Sequence, residues 1–168
     1  GAAGRFGQVA VAAFAQAGWR VLAQVRRPGL RAWPAGVQEI AAGAPVAGPV
    51  HVLVHAANPP YTQWVTQALP LAEDAMALAE RHDALFMLPG NVYNLGSPMP
   101  ALIGAHTPMR PTSRKGQVRE AIEAALLSRA DRSLRSATIR AGDFFGGNGT
   151  GSWFDVAVVK SLRAGKLV

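Results

Sequence analysis

The chain opens Gly1-Ala2-Ala3-Gly4-Arg5-Phe6-Gly7 and runs from there straight into a helical pattern. Apolar Phe6, Val9, Ala10, Ala13, Phe14 and Ala17 fall at helical spacing over 5–17. Gly18 follows, the kind of residue that ends a helix. Glycines at 1, 4 and 7 suit a tight turn, a close approach of backbone to a pyrophosphate, and a helix N-terminus whose N–H groups face the anion. In a chain with 18 glycines the same spacing also fits an ordinary flexible N-terminus. The sequence downstream separates the two readings.

Val21–Val25 is a short apolar run and reads as a buried strand. Pro28-Gly29 and Pro34 then break the chain. Val37–Ala41 reads as a weak strand, and Val50–Ala56 as a strong one rich in β-branched residues. A helical stretch over 61–82 is expected to be divided by Pro70, which lacks an amide hydrogen and collides with the carbonyl one turn back. Ala84–Leu88 is the next buried strand, followed by a loop over 89–116, a helix over 117–129 and a strand over 137–140. A glycine-rich loop over 141–152 and a helix over 153–164 close the chain.

Strands that alternate with helices and are apolar throughout predict an α/β chain. The expected architecture is a single Rossmann-type domain over 1–168, a doubly wound parallel sheet with helices on both faces. Ligands in such sheets sit beyond the carboxyl ends of the strands, here the turns after Val25, Ala56, Leu88 and Arg140. The link over 43–49 does not fit easily. Crossing three strand spacings of ~4.8 Å and returning along ~17 Å of strand would need these residues almost fully extended. A crossover normally takes a dozen or more residues and a helix. Either a helix is missing or 37–41 is not a regular third strand.

Composition narrows the function further. Hydrophobic residues make up 49% and charged residues 16%, the opposite of a disordered chain, and 168 residues can bury one sizeable core. The absence of cysteine excludes disulfides and thiolate metal sites. There is no apolar run of about 18 residues and no basic segment followed by an apolar one, so a membrane is not an expected partner and the cytoplasm is the expected compartment. The net charge of +7 would suit a polyanion. Yet the densest basic stretch, with Arg110, Arg114, Lys115 and Arg119, lacks the interleaved aromatics of a single-strand binder. A solvated basic face is the simpler reading, and nucleic acid is not expected.

His51 and His55 would make half a metal site on a helix, but Val-Leu-Val between them reads as strand and no metal is expected. Asp143, in the loop after the last strand, has turn formation beside Gly142 as its simpler role. Trp33, Trp64 and Trp153 read as core or lid residues.

The 21–25 strand ends in Arg26-Arg27, about 19 residues after Gly7. An acidic residue there would hold the ribose hydroxyls of NAD, whereas arginine suits the 2′-phosphate of NADP. Two more pieces follow in order: His55-Ala56-Ala57-Asn58, and Arg140-Ala141-Gly142-Asp143-Phe144-Phe145-Gly146. With these four pieces the chain resembles the extended or atypical short-chain dehydrogenase/reductases, the NAD(P)-dependent epimerase/dehydratase group. The resemblance implies a cofactor, NADP in preference to NAD, held by Gly1, Gly4, Arg5, Phe6, Gly7, Arg26, Arg27, Ala56, Ala57, Asn58 and Lys115. It implies hydride transfer on a small carbonyl or alcohol, sugar-nucleotide-like substrates included. It also implies a homodimer paired through helices near 66–82 and 117–129.

Lys115 matches the lysine of the family's Tyr-x-x-x-Lys pair, which holds the nicotinamide ribose and lowers the tyrosine pKa. The seat four residues earlier holds Pro111, and no serine precedes Val92-Tyr93, where Pro89-Gly90-Asn91 stands instead. Tyr93 with Lys115 is therefore the candidate catalytic pair, with Asn91 as a further substitute. Family members carry an apolar strand before the first glycine and a substrate region further on, so the sequence is expected to be a fragment lacking both. Pro111 keeps a second class open, a non-catalytic NAD(P)-binding redox sensor or structural subunit.

Overall fold

The computed structural model describes residues 1–130, 134–142 and 158–166. Helix α1 spans Arg5–Gln16, followed by strands β1 (Val21–Val25), β2 (Val37–Ala41) and β3 (Val52–Val54). Helix α2 (Trp64–Arg81) follows a 3-10 turn at Tyr61–Gln63. Then come β4 (Leu85–Asn91), a second 3-10 turn at Tyr93–Leu95, α3 (Arg114–Ala130), β5 (Ser136–Ala141) and α4 (Lys160–Arg163). The loop expected over 141–152 lies largely outside the described residues, as do Asp143 and the first part of the helix expected over 153–164; α4 falls within the rest of that helix.

All described strand pairs are parallel. β1 pairs with β2 along its whole length, Val21 opposite Val37 and Val25 opposite Ala41. A separate three-stranded sheet has the order β3-β4-β5. The two sheets meet at the start of the chain. The Gly1 and Ala2 nitrogens both donate to the Gln24 carbonyl of β1, at 3.4 and 3.3 Å, while Gly1 packs on Ala56 and Ala57, just past β3. β2 is thus a regular strand. It is the link over 42–51 that is unusual, holding turns and no helix. Because β2 and β3 lie in different sheets, this link delivers no strand into β1–β2 pairing.

The core lies on one face of the larger sheet. Trp64, Ala68, Ala72 and Met76 recur every fourth residue along α2, with Ala79 completing the stripe. They bury against Phe86 and Leu88 of β4 and Ile122 and Leu126 of α3. Full burial of large side chains such as Met76 and Phe86 stabilises by roughly 1.5–3 kcal/mol each. The alternate β4 positions point the other way: Met87 and Pro89, with Val54, Ala137 and Ile139, face Phe6, Ala10 and Phe14 of α1 across a cleft of about 120 Å³. Helices therefore lie on both faces of this sheet, α1 across a gap that leaves Ile139 exposed.

Two prolines depart from the expectation. Pro89-Gly90-Asn91 belongs to β4, not to a loop. The Leu85 nitrogen bonds to His51 on the β3 side and the Phe86 nitrogen to Arg135 on the β5 side. That alternation turns the position-89 nitrogen toward β3, whose pairing stops opposite Met87. The missing donor of Pro89 thus costs no ladder bond. Pro70 lies inside a single continuous α2 and does not divide it. Both Pro70 and Thr66, whose carbonyl it leaves unbonded, are exposed to water, while the opposite, buried stripe holds the helix together. α3 begins at Arg114, three residues before the expected start.

Since Pro70 interrupts an exposed helix interior, Pro70→Ala should raise stability by about 1–3 kcal/mol. Urea unfolding should show a higher midpoint at unchanged slope. A lower midpoint would mean that the proline sets the course of α2.

Candidate cofactor site

The turn at 1–7 is built on two glycines that cannot be anything else. A Cβ at Gly1 would overlap the Ala56 carbonyl and the Ala57 nitrogen, and one at Gly7 would overlap the Gly1 carbonyl and Ala2. Gly4 differs. A Cβ there would meet only the Gly1 oxygen, at 3.3 Å, and its φ of −73° is open to any residue. A side chain at Gly4 would press on a carbonyl already held by the Gly4 nitrogen and packed on Gly7, so the turn itself favours glycine here. Gly4 is the N-cap of α1, with no side-chain cap and no acidic residue in the first turn. Such an end presents positive backbone dipole to an anion.

Next to this turn, a cleft of about 730 Å³ opens between Ala3, Arg26, Arg27, Leu30 and Trp33. Arg26 and Arg27 are exposed at the end of β1. Glu39 of β2 shapes the wall: its carboxylate accepts from the Gly29 nitrogen at 2.8 Å and from Trp33 Nε1 at 2.6 Å. Both carboxylate oxygens are engaged in folding the loop over the cleft. Arg31 ties the same loop to α1 through Gln8 Oε1, at 2.9 Å. The expected Gly1, Gly4, Gly7, Arg26 and Arg27 thus gather on one edge, and Ala56-Ala57 joins them through Gly1; Arg5 and Phe6 follow on the first turn of α1, with Phe6 in the cleft against β4 and β5.

Lys115 stands on the first turn of α3, its Nζ 4.0 Å from the centre of the Tyr61 ring. Tyr61 lies 4.9 Å from Trp64, and Arg119, one turn along α3, covers the Trp64 ring at 4.6 Å. Burial pushes the Arg119 pKa down, opposed by Tyr61, Glu123 and Tyr93. Below this layer, buried Glu123 binds Arg140 Nε at 3.2 Å and Nη2 at 2.5 Å, and Asn94 Nδ2 at 2.9 Å. Its hydrogen bond raises the Arg140 pKa. Arg140 reaches Glu123 past Gly90, whose missing side chain leaves the way clear.

No protein-family model matches the chain, and no curated protein does. Solved structures do. A UDP-galactose 4-epimerase superposes with a TM-score of 0.78 at 16% identity, covering 99% of this chain and 62% of the epimerase. The Bordetella bronchiseptica enzyme WbmG, solved with NAD and UDP, gives 0.73 at 18% identity, covering 100% and 59%. The fold is that of the extended short-chain dehydrogenase/reductases. A GalE-like L-threonine dehydrogenase from Cupriavidus necator gives 0.72 at 17% identity, covering 99% and 61%. The chain spans about three fifths of the length of these structures.

In this short-chain dehydrogenase/reductase fold, the departures noted in the sequence acquire positions. Pro111 precedes α3 altogether and packs near Gly116, so it shares no helix face with Lys115. Tyr93 packs against the core, its ring 6.4 Å from Trp64. The Asn91 side chain accepts from the Tyr93 nitrogen at 3.1 Å, a local turn contact. Tyr61 and Glu123 were not singled out from sequence, and Arg119 was read only as part of a solvated basic face. A tyrosine just beyond a strand's carboxyl end was the available signal for Tyr61; nothing in the pattern of α3 marked the other two. Among the described residues, no three His, Asp or Glu side chains gather as a metal site, and no helix is long and apolar enough to cross a membrane.

His55 follows β3 and stacks on Phe86, ring centres 5.8 Å apart. Burial, then the nearby positive charges of the chain's amino group and Arg119, pushes its pKa down to about 4. Its unfolded value lies near 6.5, so between these values the unfolded chain binds the proton and the folded one does not. This contribution is complete above about pH 6.5 and is lost as pH falls toward 4. The loss should amount to about 3 kcal/mol, read from denaturant midpoints across that window. His55→Phe should flatten the profile, and an unchanged profile would place the titration elsewhere.

Proposed function

We propose that this chain forms the dinucleotide-binding part of a nicotinamide-dependent oxidoreductase or epimerase that prefers NADP. Its substrate would be a small carbonyl or alcohol of sugar-nucleotide type. The observation that carries this reading is the uncapped start of α1 at Gly4, adjoining through Ala3 the Arg26–Arg27 cleft. WbmG, of the same fold, is solved with NAD and UDP, which supports a nicotinamide cofactor and a nucleotide-linked substrate.

The residues present fit such a cofactor. The uncapped N-terminus and the dipole of α1 suit a pyrophosphate, and the exposed arginines beside a cleft suit a ribose phosphate through charge-assisted hydrogen bonds. Lys115 is the residue to hold the nicotinamide ribose. The bound cofactor would supply the hydride chemistry. The protein's part is to orient it and to move the proton.

Pro111 favours a second reading, a protein that binds the dinucleotide without catalysis. Turnover across a panel of carbonyl and alcohol substrates separates the two: binding without turnover supports the second.

Gly4→Val should abolish NADP binding, because a branched side chain would fill the space a pyrophosphate needs. A Cβ at Gly4 meets the Gly1 oxygen at 3.3 Å, so the urea midpoint of the variant is read alongside, and loss of binding counts only where the fold is kept. Unchanged affinity by calorimetry would remove the glycine turn from the site. Arg26→Ala should weaken NADP about tenfold to a hundredfold, the equivalent of roughly 1.5–3 kcal/mol, and leave NAD nearly untouched. Equal weakening of both cofactors would show that Arg26 does not read the 2′-phosphate.

A further inference from the structure

The chain has two tyrosines, Tyr61 and Tyr93, and their surroundings differ. Tyr93 is packed against the core made by β4, α2 and α3, and its backbone carbonyl is closely approached by Gly116. Tyr61 belongs to the turn that follows β3, on the same strand-end edge as the glycine turn, and it is 46% exposed. The ammonium of Lys115 lies over its ring at 4.0 Å. The residue is thus half exposed, with a cation over the face of its ring.

We propose that Tyr61 is the catalytic proton-transfer residue and Lys115 its partner. The fold then supplies from the β3 turn the tyrosine whose seat before Lys115 is taken by Pro111. This inference rests on the reading of the chain as a nicotinamide-dependent enzyme.

The electrostatics favour it. A phenol ionises near pH 10 in water, and opposite charge close by favours its ionised form. Two cations from α3 face Tyr61: Lys115 over its ring, and Arg119, which interacts with it electrically. From α2 the packed neighbour is uncharged Trp64. Glu123, the carboxylate that acts on Arg119, is held by Arg140 and Asn94. His55, beyond β3, is neutral above about pH 4. An ammonium over an aromatic face also holds the ring in place.

In the oxidising direction a substrate alcohol gives its O–H proton to the Tyr61 phenolate. A bound nicotinamide cofactor would accept the C–H electron pair as hydride while the C=O bond forms, and Tyr61 is left as neutral phenol. Reduction runs the same steps backwards.

The test is a tyrosinate absorbance titration of the wild-type protein, Tyr61→Phe, Tyr93→Phe and Lys115→Met, joined to NADP calorimetry and turnover. One phenol should ionise below pH 10. That signal should vanish in Tyr61→Phe, persist in Tyr93→Phe and move upward in Lys115→Met. Tyr61→Phe keeps the ring under Lys115, so NADP affinity should stay within about twofold while turnover falls by roughly 10²–10⁴-fold. Normal NADP binding with Tyr61 ionising at the ordinary pH, or with turnover retained in Tyr61→Phe, overturns this inference alone. Failure of the wild-type protein to bind NADP or NAD overturns the functional reading and this inference with it.

Discussion

The contact between Gly1 and the Ala56–Ala57 peptide is the constraint on which the rest of the site depends. No side chain fits at position 1, and Gly7 in turn leaves no gap against the Gly1 carbonyl. These two glycines bring the start of α1 against the end of β3. The bonds from Gly1 and Ala2 to Gln24 fix the same turn to β1. One tight turn therefore joins two sheets that share no strand, and it sets the α1 N-terminus beside both the arginine cleft and the 55–58 turn. A methyl group at either glycine would push these parts away from one another.

The second organising feature is the layer of rings and cations on α2 and α3. Trp64 closes the top of the apolar stripe of α2 and is itself covered by Arg119 and flanked by Tyr61. Its indole N–H donates to the Pro59 carbonyl at 3.1 Å, which anchors the path from β3 into the Tyr61 turn. Beneath it, Glu123 binds Arg140 of β5 and Asn94 of the second 3-10 turn. A buried carboxylate is tolerated where such partners surround it, and here the partners come from β5 and from the turn after β4. The core thereby fixes the strand-end turns, and the turns carry the residues exposed toward a ligand.

Much of this was legible in the sequence where local pattern decides. β1 and β2 have the bounds that their apolar runs suggested, and the glycine spacing opens a helix as expected. What was hidden depends on contacts distant in sequence. Pro89 is a poor strand residue by propensity, and it is tolerated because β3 is too short to pair with it. Pro70 is a poor helix residue, and a buried stripe of alanines, Trp64 and Met76 outweighs it. Tyr61 meets Lys115 across 54 positions of chain, so no motif could hold the pair. Glu123 lies on a helix without a clear apolar side, and its burial is visible only once Arg140 crosses over Gly90.

The central claim is that the start of α1 and the Arg26–Arg27 cleft form one dinucleotide site. A crystal structure of the full-length protein with NADP tests it most directly. The account predicts pyrophosphate oxygens within hydrogen-bond distance, about 3 Å, of backbone nitrogens at the start of α1, and the 2′-phosphate against Arg26. A dinucleotide bound elsewhere, with the space over Gly4 empty, would contradict it.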